Sequence, residues 1–306
     1  MSTAYLIQTY HLPEQALRLA TTIRAGSPDA VIVVSHDRDA ATGVHPGLGD
    51  VADTVMMGRG GRGDFATIER YLSCLDWLGD LDRRPDWVVN ITGQDYPVRP
   101  LADIEAEMAS ANAGAFLEFF PAMDPFCRWG RHEARDRYLF RYKWLRRSVP
   151  ARWQKALRPV LVINRVQPYV RMTMAYGLAI GRRVRPAPFD RDLACYGGSF
   201  YGALSGGATQ VVTSMVAERP ELVEHFRHTV VPEEAFLQTL LAGSEIAVRN
   251  TSRRFYDFRG SVAGSPKVLT DADFDRVVTS DAWFARKFDP NVDAAVLDRL
   301  DALLLE

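Results

Sequence analysis

The 306-residue sequence has few cysteines, almost no net charge and no long apolar run. Its three cysteines, Cys74, Cys127 and Cys195, are far apart, so they indicate neither a disulfide framework nor a metal-ligand cluster. A formal net charge of −1 argues against a nucleic-acid-binding protein. No signal peptide is evident and no uncharged apolar stretch is as long as a membrane span. We therefore expect a cytoplasmic protein without an integral membrane segment.

Several common catalytic motifs are missing as well. No Gly-x-Ser-x-Gly elbow is present, which leaves a hydrolase triad without support. The glycine-rich segment 58–63 matches neither a dinucleotide fingerprint nor a P-loop, and we interpret it as a flexible loop. Among the Asp-x-Asp strings only Asp37-Arg38-Asp39 follows an apolar strand, and the central strand ends near a single carboxylate, Asp95. Because a diphosphate-bound cation needs several oxygen ligands, we expect no metal and no other cofactor.

What the sequence does contain is a regular alternation of strands and helices. Short apolar runs at 4–7, 30–34, 53–57, 87–92 and 115–120 alternate with amphipathic patterns at 13–24, 65–78 and 101–111. This order predicts an α/β fold, a Rossmann-like, mostly parallel sheet flanked by helices, in one domain covering 1–306. Ligands bind beyond the carboxyl ends of such strands, which places His11, His36, Asp37 and Asp95 near one edge of the sheet.

The middle of the chain is basic and aromatic. Residues 128–171 contain thirteen Lys and Arg side chains interleaved with aromatic ones. Such a stretch could bind nucleic acid, an anionic substrate or a sugar, or form a solvated amphipathic helix with its aromatic side chains in the core. The near-zero net charge argues against nucleic acid. We interpret residues 128–153, including Trp129 and Arg131, as a candidate acceptor wall, and the whole stretch 128–171 is also compatible with a peripheral membrane contact.

Residues 229–241 read as a strand running into a helix. Pro232 suits a first helical position, since its missing N–H would have no partner there. Glu233 and Glu234 would then lie in the first turn, where the helix dipole favours negative charge and should keep Glu234 ionised. The pattern alone leaves two interpretations open, a stabilising first-turn acid or a catalytic base.

Seven segments between residues 4 and 289 carry a resemblance to a known family. They include NITGQDYP at 90–97, GSFY at 198–201, PEEAF at 232–236, RFYDF at 254–258 and ARKFD at 285–289. In this order they resemble motifs of glycosyltransferase family 14, which contains the core-2/I-branching β-1,6-N-acetylglucosaminyltransferases and the peptide O-xylosyltransferases. Lacking the membrane anchor and the many cysteines of animal members, the chain is identified as a bacterial member.

The resemblance implies a GT-A-type fold, with a nucleotide-binding half at 1–125 and an acceptor and catalytic half at 126–306. It further implies an inverting, metal-independent transfer from a UDP-sugar, with UDP-GlcNAc as the expected donor. Glu234 aligns with the family's general base, and Glu233 is kept as the alternative base. The remaining candidate residues are assigned to the diphosphate (Arg254, Lys287, Arg286), to the nucleotide (His11, His36, Asp37, Asp95), and to the donor sugar and acceptor (Gly198, Ser199, Tyr201, Glu233, Trp129, Arg131).

One departure keeps the donor open. Phe200 occupies the position at which xylosyltransferases carry an aspartate, which argues against xylose as the donor. Two alternatives remain, a transferase that uses UDP-xylose or a deoxysugar nucleotide, and an inactive protein that only binds a sugar nucleotide. The expected partners are a UDP-sugar and a glycan, lipid-linked or small-molecule acceptor.

Overall fold

The computed structural model describes residues 1–61, 63–130, 132–147, 149–174, 176–186, 188–189, 193–259 and 265–305. Its first part alternates strands and helices: β1 (Thr3–Thr9), α1 (Pro13–Gly26), β2 (Val31–Asp37), α2 (Leu48–Val51), β3 (Thr54–Gly58), α3 (Ala66–Gly79), β4 (Trp87–Thr92), β5 (Asp95–Pro97), α4 (Leu101–Ser110), β6 (Ala115–Phe116) and β7 (Phe119–Pro121).

The second part has shorter elements: α5 (Glu133–Tyr138), β8 (Phe140–Arg146), α6 (Ala151–Leu157), α7 (Ile163–Val166), β9 (Val170–Thr173), β10 (Leu178–Arg183), β11 (Tyr196–Gly198), β12 (Ala203–Ser205), α8 (Gly206–Glu218), α9 (Pro220–Phe226), α10 (Phe236–Ala242), β13 (Val248–Arg249), β14 (Arg254–Tyr256), α11 (Phe274–Val278), β15 (Phe284–Arg286) and α12 (Ala295–Leu305). Turns of 3₁₀ helix occur at Arg158–Val162, Pro232–Glu234 and Asp271–Asp273.

A seven-stranded sheet forms the centre, in the order β13-β6-β12-β4-β1-β2-β3. β1 is parallel to both β2 and β4, and β2 is parallel to β3. β12 runs antiparallel between β4 and β6. The predicted α/β fold with a mostly parallel sheet flanked by helices is therefore confirmed. The second half of the chain supplies β12 and β13, so both halves contribute to this sheet.

Both faces of the central strands are buried, because successive apolar side chains point to opposite sides. On one face, Tyr5 and Ile7 of β1 pack in a core cluster with α1, α4 and α12. On the other face, Ala4 and Leu6 pack with α3, α8 and α10. Burying one such large apolar side chain contributes about 1.5–3 kcal/mol. These two layers hold the carboxyl ends of β1, β2 and β4 in fixed positions.

Three smaller sheets surround the central one. β15 pairs antiparallel with β5 and parallel with β14, which places Arg286 opposite Asp95. β7 pairs with β11. β8, β10 and β9 form a separate antiparallel sheet, and its inner side chains Phe140 and Tyr142 pack against Val230 and Val231.

Two local predictions are wrong. Residues 229–231 do not form a strand, and α10 begins at Phe236 rather than at Pro232. Val231 adopts a left-handed conformation with φ of 55°, its N–H donates to the Gly63 carbonyl at 3.0 Å, and its carbonyl accepts the Tyr138 hydroxyl at 2.8 Å. These tertiary contacts override the β preference of valine. Glu233 and Glu234 consequently lie in a 3₁₀ turn before the helix.

The single strand predicted at 115–120 is also wrong, because it divides into β6 and β7, which belong to different sheets. In the basic stretch, the alternative of one amphipathic helix is wrong, since short helices and strands of the separate sheet occur there instead. Among the described residues, no helix is long and apolar enough to cross a membrane. The predicted division at residue 125 into two functional halves stays a prediction.

Candidate active site

A cleft of about 600 Å³ opens at the carboxyl ends of the central strands. Gln8 of β1, Asp37 of β2 and Thr92 of β4 all line it, as expected for a parallel sheet. The cleft brings together ten of the predicted site residues: Asp37, Trp129, Gly198, Ser199, Tyr201, Glu233, Glu234, Arg254, Arg286 and Lys287.

A buried carboxylate organises the cationic end of the cleft. The Asp95 side chain is 0% exposed and lies 3.6 Å from Nη1 of Arg254 and 3.4 Å from Nε of Arg286. The Thr92 hydroxyl also donates to Asp95 at 2.8 Å. Asp95 is buried and does not line the cleft itself. It therefore acts on the cleft by holding the two arginines in place.

The two arginines keep their charge although they are buried. Burial lowers the pKa of Arg254 to about 10, against the opposing effect of Asp95, so the guanidinium remains protonated at neutral pH. For Arg286, burial opposes the charge but Asp95 and Tyr201 outweigh it, and its pKa is raised. Nε and Nη1 of Arg254 and Nε of Arg286 are buried without a hydrogen-bond partner among the described residues. Nη1 of Arg254 and Nε of Arg286 are the atoms that face Asp95. One carboxylate is thus shared by two cations, which favours a site that a further anion completes.

Aromatic rings and a lysine complete this cationic end. The guanidinium of Arg254 lies over the Phe284 ring at 4.8 Å, and that of Arg286 lies over the Tyr201 ring at 4.7 Å. Such stacking fixes the plane of each guanidinium. Nζ of Lys287 donates to the Ser265 hydroxyl at 3.0 Å. Arg254, Arg286 and Lys287 carry three positive charges and Asp95 carries one negative charge. This end of the cleft therefore has a net charge of +2.

A pair of glutamates lies in another part of the cleft lining. Oε2 of Glu234 accepts a hydrogen bond from Nη1 of Arg137 at 2.6 Å, and its side chain is 38% exposed. Arg137 also contacts Glu133, and it stacks over the Trp129 ring at 4.8 Å. Burial raises the pKa of Glu234, and Arg137 opposes that rise. The charge of Glu234 is therefore supported by Arg137 and not, as expected, by a helix dipole.

Glu233 has a different environment from its neighbour. Its Oε2 is buried and has no hydrogen-bond partner among the described residues. Burial raises the pKa of Glu233 to about 8, and the nearby Glu234 and Asp64 carboxylates add to the rise. Glu233 is therefore mostly protonated at neutral pH, while Glu234 is held by a cation.

Other predicted residues lie outside the lining. His36 is buried, and both ring nitrogens are engaged, Nδ1 with the Thr9 hydroxyl at 2.9 Å and Nε2 with the Thr42 carbonyl at 3.0 Å. His11 stacks on the Tyr10 ring at 3.9 Å, and its pKa is lowered, mainly by burial. Arg131 falls outside the residues that the structure describes.

Asp37, the first acid of the Asp37-Arg38-Asp39 string, is the last residue of β2. Asp37 lines the cleft and accepts the backbone N–H of Asp39 at 2.9 Å. A Cβ on Gly60 would lie 1.6 Å from Oδ2 of Asp37, so a glycine there admits the carboxylate. No group of three or more His, Cys, Asp or Glu side chains within the described ranges could hold a metal ion.

The lining residues that were not predicted from the sequence include the charged residues Arg70 and Glu118. Arg70 of α3 donates to the Ser35 carbonyl at 3.2 Å, and burial lowers its pKa. Glu118 accepts the Tyr256 hydroxyl at 2.9 Å and contacts Arg128. Both residues could have been recognised in the sequence. Arg70 is a charged residue on the apolar side of a helix, and Glu118 is an acidic residue within the apolar run 115–120.

Comparison with known proteins gives no family. No protein-family model and no curated protein matches the chain. Similar solved structures include a galactosyltransferase, LgtC, in complex with donor and acceptor sugar analogs, at 11% identity over 100% of this chain and 97% of that chain, with a TM-score of 0.38. An active-site mutant of LgtC has 11% identity over 95% and 88%, with a TM-score of 0.40.

A third similar structure is mouse xyloside xylosyltransferase 1 in its apo form. It has 8% identity to this chain over 93% of this chain and 97% of that chain, with a TM-score of 0.34. Likeness at these scores carries no conclusion about the fold or activity of this chain, so the functional argument depends on the cleft.

The raised pKa of Glu233 predicts a pH-dependent stability. The folded protein binds this proton up to about pH 8, whereas the unfolded chain releases it near pH 4.5. Stability should therefore fall as pH rises from about 4.5 to 8. In chemical denaturation, Glu233→Gln should be more stable than wild type at pH 8, by at least about 1.4 kcal/mol, the equivalent of one pKa unit.

At pH 4 this advantage should vanish, because Glu233 is then neutral in both states. Glu245→Gln is the matched control, because Glu245 is exposed and lies outside the cleft lining, and it should gain no stability at pH 8. An equal effect of Glu233→Gln at both pH values would contradict the assignment.

Proposed function

We propose that the chain is a glycosyltransferase of the GT-A type. In this proposal it is an inverting, metal-independent enzyme that moves GlcNAc from UDP-GlcNAc to an acceptor hydroxyl. The main support is one observation: a single cleft is lined by the carboxylates Glu233 and Glu234 and by the cations Arg254, Arg286 and Lys287. Such a set matches the needs of a reaction that removes a proton and releases a diphosphate.

An inverting transfer is one in-line displacement. The acceptor oxygen forms a bond to the anomeric carbon while the bond from that carbon to the diphosphate oxygen breaks. The acceptor's proton passes to a carboxylate as the bond forms. Glu234 fits this step because Arg137 occupies its Oε2 and supports its charge, which leaves Oε1 available to accept the proton.

The departing UDP takes the bonding electron pair and gains negative charge. Fixed cations stabilise such charge without reorganisation during the reaction. Arg254 and Arg286 line the cleft and are held in place by Asp95. The Arg286 side chain is 21% exposed against 2% for Arg254, and arginine can bind phosphate bidentately. Lys287 adds a point charge.

The other lining residues suit the two sugars and the nucleotide. The same cleft is lined by Gly198, Ser199 and Tyr201. We assign these three residues to the donor sugar and the acceptor. The Trp129 ring, held by Arg137, offers a face on which a sugar can stack. Asp37 is assigned to the nucleotide.

The general-base assignment predicts the behaviour of Glu234→Gln. Turnover, measured as UDP release from UDP-GlcNAc with acceptor, should fall by about two to four powers of ten, while calorimetry should show nearly unchanged donor binding. Glu133→Gln is the matched control, because Glu133 contacts the same arginine but does not line the cleft. Unchanged turnover in Glu234→Gln would remove it from the mechanism.

Glu233 is the second candidate for the base, because its buried Oε2 has no partner among the described residues. A larger loss of turnover in Glu233→Gln than in Glu234→Gln would transfer the role to it. Donor binding without UDP release from UDP-GlcNAc, UDP-xylose or deoxysugar nucleotides would favour the inactive binding protein.

The diphosphate assignment predicts weaker UDP binding in Lys287→Ala. A charge-assisted contact contributes about 1.5–3 kcal/mol, so the Kd for UDP measured by calorimetry should rise about ten- to a hundredfold. Lys155→Ala, an exposed lysine that does not line the cleft, should leave the Kd unchanged. Equal UDP affinity in both variants would contradict the role of Lys287.

Metal independence predicts full transfer activity in EDTA, because the three cations would carry the charge that a divalent ion supplies elsewhere. The measurement is the rate of UDP release with EDTA and with added Mn²⁺. A strict requirement for Mn²⁺ would instead point to Asp37 and Asp39 as ligands.

A further inference from the structure

The charges of the chain are strongly segregated. Residues 137–189 contain thirteen Lys and Arg residues and no Asp or Glu. Because the whole chain has a formal charge of −1, the remainder carries −14, the difference between −1 and +13. A segment of this length without one acid cannot neutralise its cations internally.

The outer face of the β8-β10-β9 sheet presents many of these cations. Arg141 lies opposite Arg182, and Lys143 lies opposite Ile180, so these four side chains share one face, and all four are exposed. Like charges directly opposite each other destabilise a sheet. Arg141 has an ion pair with Glu224. Lys143 and Arg182 have no ion pair with a described carboxylate.

The adjoining helical segment lacks a core of its own. No residue between 149 and 170 whose side chain the structure describes, which leaves out residues 151 and 158, is buried. The exposed side chains nevertheless include Trp153 at 53%, Val162 at 55%, Val166 at 73% and Tyr169 at 58%. The side-chain amide of Asn164 bonds both backbone groups of Met172 at 2.8 Å, which fixes this segment to the edge strand β9.

We infer that the exposed side chains of residues 141–185, here called the cationic surface, bind the face of a lipid bilayer that contains anionic phospholipids. Apolar and aromatic side chains among lysines and arginines are typical of surfaces that lie in the headgroup region, where Trp and Tyr are enriched. Each Lys or Arg near an anionic leaflet contributes about 1 kcal/mol.

A second copy of this chain fits the cationic surface poorly as a symmetric partner. Such a dimer would bring two cationic surfaces into contact, and like charges at an interface are unfavourable. The phosphates of a nucleic acid would pair with the cations, but exposed valines such as Val162 and Val166 would stay in contact with water. An anionic bilayer satisfies both the charge and the apolar side chains.

The cationic surface also adjoins the glutamate side of the cleft. Arg147, at its border, bonds Asp64 at 2.8 Å, and Asp64 is one of the carboxylates that raise the pKa of Glu233. Tyr176, between β9 and β10, lines the cleft itself. On the proposed function, the protein would therefore meet its acceptor at the membrane, which favours a lipid-linked acceptor.

The test is sedimentation of the full-length protein with vesicles of phosphatidylcholine alone and of equal parts phosphatidylcholine and phosphatidylglycerol. We expect binding to the anionic vesicles only, weakening as salt rises. Arg182→Gln should weaken it about fivefold, the equivalent of one cation, and Arg84→Gln, an exposed arginine elsewhere, should not. Val166→Ser should weaken it several-fold, and Val292→Ser, 59% exposed in wild type, should leave it unchanged.

Three outcomes would overturn the inference. They are equal binding to both kinds of vesicle, equal losses in the surface variants and their controls, and no vesicle binding at all. In the last case, tight binding of single-stranded RNA would assign the surface to nucleic acid, and a dimer abolished by Val166→Ser would assign it to a second copy.

Vesicle binding requires no sugar transfer, so Glu234→Gln should sediment with anionic vesicles as wild type does. Failure of transfer with intact vesicle binding would refute only the proposed function. Loss of vesicle binding with intact transfer would refute only the membrane inference.

Discussion

The cleft depends on the burial of one carboxylate between two guanidinium groups. Asp95 has no exposed surface, and an unpaired charge in that position would be costly to desolvate. Arg254 and Arg286 come from strands 159 and 191 residues further along the chain, and the carboxylate between them offsets the repulsion between the two cations. The Asp95 side chain thus joins the end of the central sheet to the C-terminal strands. Because one carboxylate is shared by two cations, positive charge remains at a site able to receive an anion.

The glutamate group shows the opposite arrangement, in which a cation supports an acid. Arg137 holds Glu234 and lies over the Trp129 ring, while Glu233 has a buried oxygen without such a partner. Two adjacent residues of the same type therefore differ in their electrostatic environment. Their difference arises from the 3₁₀ turn, which sends neighbouring side chains in different directions, and from the position of a single arginine.

The sequence predicted well what depends on local pattern. Apolar runs such as 30–34 and the amphipathic repeat at 13–24 identify their strand and helix, because burial on two faces or one leaves a period in the chain. It predicted poorly what depends on distant partners. Val231 adopts φ of 55° because Gly63 and Tyr138 bond its backbone, and no local pattern reports this. The surroundings of Glu233, and hence its pKa, could not be predicted from the sequence for the same reason.

The charge segregation changes what the isoelectric point means. A pI of about 6.6 arises because a cationic segment of +13 and a remainder of −14 nearly cancel. Near neutral pH the net force from a distant charged body is small, yet the separated charges give the molecule a large dipole moment. An anionic body is therefore expected to turn the protein as it approaches, so that the exposed cations of the β8-β10-β9 sheet face it.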